Sequence, residues 1–204
     1  MGFVFKAFFL AVFVIAAPSL AHAGGDPMSE RTLGKNTAPV KVDEFFSLTC
    51  SHCAEFLIKA LPELEKLYID TGKVRFILHD FPLNALSLKA AAVARCMPED
   101  EYLPFIKTIY QSLEAGTFGG SDSEAKLYQY AALGGLASDK AEACADDAKL
   151  QDAITAERTE ATTKYNIEAT PAFVINDGAE IINGAQSVET FAAAFDRALA
   201  AKKK

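Results

Sequence analysis

Apolar residues recur along this chain at two spacings, and the switches between them outline a fold. The run Val40 to Ser47 is apolar and β-prone enough to form a buried strand. From Ala54 to Tyr68 the period changes: Phe56, Leu57, Ala60, Leu61, Leu64, Leu67 and Tyr68 fall at helical spacing. The turn signal Thr71-Gly72 follows, and a second strand is expected over residues 74–78. Strand, helix and strand then form one unit whose two strands run parallel.

After Phe81-Pro82 the pattern becomes helical almost throughout, to about Tyr165, and is rich in Ala and Leu. Pro98 ends one helix, Gly116 to Ser121 separates the next pair, and Gly134-Gly135 closes another. Asp122 or Ser123 is the expected N-cap ahead of Glu124. His79, Asp80 and the Asp146-Asp147 pair read as solvated or capping residues. Strand character returns at Ala172 to Ile175, with the turn Asn176-Asp177-Gly178 and a partner strand over Glu180 to Ile182. An Asp-Gly turn between two apolar runs is a strong hairpin signal. Ser187 opens a last helix with Phe191, Ala194, Phe195 and Leu199 on one face. A β-α-β half and a β-β-α half therefore flank an all-helical middle.

The first residues change the picture of where the chain works. Residues 1–23 carry Lys6 as their only charge, an unbroken apolar run from Ala7 to Ala17, and Ala21-His22-Ala23 as a small-residue cleavage site. They are expected to be a cleaved export signal, the apolar run being short for a membrane span. Residues 24–39 read as a loosely structured lead-in. The net charge of −7 argues against nucleic acid, since the basic residues cluster only at Lys202-Lys203-Lys204.

Chemistry concentrates at Cys50-Ser51-His52-Cys53, where the first strand turns into the helix. Cys50 is expected at or near the N-cap, where unpaired amides and the positive end of the helix dipole favour a thiolate. A thiol acidified in this way is a good attacking and leaving group at neutral pH. Two duller readings compete. A structural bridge across two residues closes almost no loop and staples little. A zinc site needs four ligands, and Cys96 and Cys144 form no second close pair. A redox pair is the expected reading, with no metal and no cofactor beyond the disulfide itself.

The stretch Glu44-Phe45-Phe46-Ser47-Leu48-Thr49-Cys50-Ser51-His52-Cys53, with Thr170-Pro171 before the late hairpin and the order of elements, resembles the DsbA family of exported thiol-disulfide oxidoreductases. The resemblance implies an α/β protein, a thioredoxin fold with an inserted all-helical domain. The thioredoxin-like part would be residues 40–82 and 166–204, and the insertion residues 83–165. Cys50 would be the nucleophile, Cys53 the buried partner that resolves mixed disulfides, and His52 an imidazole beside Cys50 that favours its thiolate. Glu44 would be a buried acid relaying a proton to Cys53. Thr170 and a cis Pro171 would face the pair and hold an extended client peptide. Ser51 stands where the family commonly has proline. Cys96 and Cys144, an even pair in an oxidising compartment, are expected to be bonded. Two buried free thiols are the alternative.

The function implied is that of a periplasmic, monomeric oxidase that gives disulfides to reduced or unfolded exported proteins. A membrane quinone-linked partner of the DsbB type would reoxidise it. A disulfide isomerase or reductase is the rival enzyme, and Thr170 and Ser51 keep it open. A client-binding assembly factor without turnover is the rival from another class, and the intact dicysteine weighs against it. Glutathione-linked relatives on this fold usually lack the second cysteine.

Overall fold

The computed structural model describes residues 26–202 besides Met1, so the export signal expected over residues 1–23 lies outside the described part of the chain. Strands β1 (Arg31–Leu33), β2 (Val40–Phe46), β3 (Val74–Asp80), β4 (Ala172–Ile175) and β5 (Glu180–Asn183) form a sheet in the order β1-β3-β2-β4-β5. The pair β2–β3 is parallel and the other pairs are antiparallel. β2 is therefore central, hydrogen-bonded along both edges, and the loop leaving it emerges at the middle of the sheet.

A helical run over residues 51–69 crosses from β2 to β3. It contains α1 (Ser51–Glu55) and α2 (Leu61–Leu64), with π-helical turns at Phe56–Ala60 and Glu65–Ile69. Between β3 and β4 come α3 (Ala85–Cys96), α4 (Tyr102–Glu114), α5 (Ser123–Leu133), α6 (Ser138–Ala145) and α7 (Ala148–Tyr165). α8 (Val188–Ala201) closes the described chain, with Ser187 accepting from the Thr190 N–H as its N-cap.

Alternation along β2 sorts its side chains onto two faces. Val40, Val42 and Phe46 join the main core with Phe56, Phe76, Phe173, Phe191 and Phe195. The rings of Phe56 and Phe173 are 4.5 Å apart and those of Phe173 and Phe191 4.8 Å. Each such buried phenylalanine stabilises the fold by roughly 1.5–3 kcal/mol. Phe45 faces the other way, onto a smaller core of Phe81, Ala161, Ile167, Ala172 and Val174.

Several expectations need correcting. The lead-in holds a strand, β1, which adds an antiparallel edge to β3. β3 runs two residues past the expected end at Leu78, carrying His79 and Asp80 into the sheet. Neither of these is a solvated residue. Asp80 is buried against Arg95, and His79 bridges Asp43 at 2.9 Å and Glu157 at 2.6 Å, joining β2, β3 and α7. Charge partners, which lie far off in sequence, are what make their burial tolerable. Leu67 is 45% exposed because the π turns, with more residues per turn, move the buried face on to Tyr68 and Ile69. Asp122 occupies the N-cap position of α5 without capping it, whereas Ser123 accepts from the Gly119 N–H. The β4–β5 turn is a 3-10 turn with Asn176 and Asp177 in the left-handed region.

Candidate active site

The loop Ser47-Leu48-Thr49 carries the chain from β2 to Cys50, which is the N-cap of α1 with extended backbone (φ −94°, ψ 116°). The Cys50 N–H donates to the Ser47 carbonyl at 3.0 Å, and the Cys50 carbonyl accepts from the Ala54 N–H at 3.1 Å. Both Cys50 and Cys53 are free thiols in this structure. The pair is asymmetric in its electrostatics. Hydrogen bonding from the Cys53 thiol and the backbone N–H groups of Cys53 and His52 outweighs burial and brings Cys50 down to about 5. Burial, and then the Cys50 sulfur beside it, push Cys53 well above the ordinary thiol range. One sulfur is thus a thiolate at neutral pH and the other a thiol. Cys50 is less open than its place at a helix end suggested, with 9% of its surface exposed, while Cys53 is fully enclosed.

β4 brings the far end of the chain to this pair. The Thr170-Pro171 peptide bond is cis, and Cys50, when protonated, donates to the Thr170 carbonyl at 3.3 Å. The Pro171 carbonyl accepts from the Gly184 N–H. Both carbonyls of this loop are therefore engaged within the chain. The Thr170 hydroxyl is buried and makes no hydrogen bond of good geometry.

Glu44 lies on β2 between Leu78 of β3 and Phe173 of β4, with 3% of its surface exposed. Burial raises its carboxyl to about 8, against a smaller opposing pull from His79. Near neutral pH it is mostly the protonated acid. The His52 ring is on the surface, with Nδ1 3.6 Å from Glu55 Oε2. What His52 offers the Cys50 sulfur is its backbone N–H. Helix geometry explains this, since a side chain in the first turn points outward while its amide points back at the cap.

Cys96 and Cys144 are joined, linking α3 to α6. One residue of the site carries no signature in the sequence. Tyr110 of α4 is buried and its hydroxyl donates to the Ser47 carbonyl at 3.1 Å. Its pattern context, beside Phe105, Ile106 and Ile109, reads only as helix core. Asn84, the N-cap of α3, also reaches the loop, donating to Thr49 Oγ1 at 3.1 Å.

A family model described as thioredoxin matches residues 27–197. The crystal structure of Wolbachia pipientis alpha-DsbA1 superposes with a TM-score of 0.75 at 30% identity, covering 85% of this chain and 92% of that one. A Rickettsia felis protein with the provisional name protein-disulfide oxidoreductase is 28% identical over 177 residues, covering 86% of this chain. The chain spans 62% of that relative's length. Disulfide bond formation protein D of Bacillus subtilis is 27% identical over 155 residues, 71% of this chain and 67% of the relative.

Proposed function

The chain belongs to the DsbA branch of the thioredoxin family, and from that membership we propose that it is a periplasmic oxidase introducing disulfide bonds into exported proteins. The acidified Cys50 carries this reading. A disulfide whose reduced form holds a stabilised thiolate is easily reduced, and so it is a strong oxidant of client thiols.

The reaction starts from the Cys50–Cys53 disulfide. A client thiolate attacks Cys50 Sγ, forming a client–Cys50 bond while the bond to Cys53 breaks. Cys53 leaves with the electron pair into a dry interior where a thiolate is unfavourable. The protonated Glu44 carboxyl supplies the proton that makes Cys53 a thiol. A second client thiolate then attacks the client sulfur of the mixed disulfide, and Cys50 leaves as the thiolate that its surroundings stabilise. The client is oxidised by two electrons and the enzyme reduced by two. Run in reverse, Cys53 resolves the mixed disulfide. Thr170 and Pro171 line the client's approach. The redox pair is the only cofactor in this scheme, and a quinone-linked membrane partner of the DsbB type restores the disulfide. The protein works as a monomer, its thioredoxin-like part (residues 40–82 and 166–204) interrupted by the helical insertion (residues 83–165).

The test compares oxidation of a reduced dithiol peptide with rescue of a scrambled protein by the same sample. Efficient oxidation and weak rescue are expected, and the opposite balance would favour an isomerase. Cys53→Ser should accumulate client mixed disulfides, whereas Cys50→Ser should trap none.

A further inference from the structure

β2 and β3 run parallel, in register from Val40 opposite Val74 to Phe46 opposite Asp80. Parallel strands end at the same edge of a sheet, so the segment leaving β3 lies beside the segment leaving β2. The Phe81 N–H donates back to the Phe46 carbonyl at 2.7 Å and keeps the two exits together. One exit is Ser47-Leu48-Thr49, which delivers Cys50 to the head of α1. The other is Pro82-Leu83-Asn84, which opens α3. They meet where Asn84 Nδ2 donates to Thr49 Oγ1 at 3.1 Å, one residue ahead of Cys50.

Asn84 is exposed and Thr49 half-buried, and a bond in such a place competes with water. What gives this one weight is that the Asn84 amide is already oriented. Its Oδ1 accepts from the Ser87 N–H at 2.9 Å, while the buried Ser87 hydroxyl accepts from the Leu83 and Asn84 N–H groups at 2.9 Å each. This capping box occupies the amide oxygen with α3 and leaves the NH2 group facing the loop. No further ordering of the side chain is needed to aim the donor. Thr49 Oγ1 lies in turn 3.5 Å from the buried Ser47 Oγ, at the start of the same turn.

In the disulfide form the covalent bond to Cys53 fixes the Cys50 sulfur. Once that bond opens, the station of the sulfur at the helix head depends on the turn that carries it. A thiolate gains from being held against fixed amides, and a thiol gains far less. Resting on the oxidase reading above, we propose that Asn84 is a positioning residue for disulfide exchange. Through Thr49 it holds the Ser47–Cys50 turn in place at the head of α1 after the disulfide has opened. It adds no covalent change to the steps already described, and it moves no proton.

The experiment titrates the Cys50 thiolate by its ultraviolet absorbance in reduced full-length protein, and measures the disulfide equilibrium with glutathione. Thr49→Val removes the acceptor and keeps the shape. Asn84→Ser keeps a capping oxygen for α3 and is too short to reach Thr49. Each should raise the Cys50 midpoint by about half a pH unit, the low end of one net hydrogen bond, and make the disulfide about threefold harder to reduce. The double variant should move no further than either single, because both remove the same bond. Asp147→Ala is the control. It removes the N-cap of α7 and so weakens a different helix end, and its midpoint should match that of the parent. Unchanged midpoints in both single variants, shifts that add in the double, or an equal shift in Asp147→Ala overturn the proposal. If Asn84→Ser does not fold, Thr49→Val decides alone, since it leaves the α3 cap intact, and an unchanged midpoint there overturns the proposal equally. No client enters the titration. A parent protein that fails to oxidise a dithiol peptide would sink the oxidase reading, while the titration still decides the role of Asn84.

Discussion

Glu44 is the residue whose environment departs furthest from what its side chain prefers. Its carboxyl has risen from 4.5 to about 8, so the folded protein binds a proton there that the unfolded chain releases above pH 5. A raised carboxyl makes stability fall as pH climbs from the unfolded to the folded value. Glu44→Gln should therefore be more stable than the parent above pH 8, on the order of 5 kcal/mol at most. Denaturant unfolding at pH 5 and pH 8.5 measures this, and equal shifts at both would mean that the acid is not strained. The same variant tests the proton step. Once the ionisation of the attacking thiol is allowed for, the rate at which the parent's disulfide is opened should decline above about pH 8, and Glu44→Gln should show no such decline. Cys50 was legible because a cysteine ahead of a helical period marks an N-cap. Glu44 was not, since a carboxyl on a strand reads as exposed until a family resemblance says otherwise. His52 keeps its ring on the surface beside Glu55, and its backbone N–H is the group that reaches Cys50. Tyr110 meets Ser47 across 63 residues of chain, a distance at which no local pattern speaks.

At the scale of elements, periodicity located the main helices and strands and missed what depends on partners. β1 is three residues long and exists because β3 offers it an edge. The π turns in residues 51–69 shift a face that a uniform 3.6-residue period places wrongly, and Leu67 is the residue that shows it. The α3–α6 linkage has an energetic consequence. Cys96 and Cys144 are 48 residues apart, and closing such a loop restricts the unfolded chain by roughly 4 kcal/mol in the chain-entropy account. The double variant Cys96→Ala/Cys144→Ala should lose about 3–4 kcal/mol of stability. Faster amide exchange should be concentrated in α3 and α6. Under graded reductant the bond should outlast Cys50–Cys53, because neither of its sulfurs is a stabilised thiolate. Peptide mapping would reveal the order of opening, and simultaneous opening would remove the distinction between the two bonds.

The whole molecule has a pH signature that no single element sets. His79 sits between Asp43 and Glu157, and although burial opposes its charge, these partners raise it from 6.5 to about 9. Its contribution is complete below pH 6.5 and disappears as pH rises through 9. Glu44 pulls in the same direction between 4.5 and 8, and Asp80, raised by burial despite Arg95, adds to it. Asp43, which His79 and Lys41 hold low against the cost of burial, acts oppositely and only in acid. In the oxidised protein, where Cys50 is bonded and does not titrate, the thermal midpoint should accordingly peak near pH 5 and decline toward pH 9. In the reduced protein Cys50, lowered to about 5, gains stability over the same range and opposes the decline. A scan of midpoint against pH checks this, and His79→Gln with Glu44→Gln should flatten it. The order of the chain has a further consequence, one that concerns time. Thr170 follows Cys50 by 120 residues, and β4 must pair with β2 before its carbonyl can meet the thiol. A nascent chain therefore displays its two cysteines long before it owns the loop that packs against them. Only the closing of the sheet brings Thr170 over Cys50.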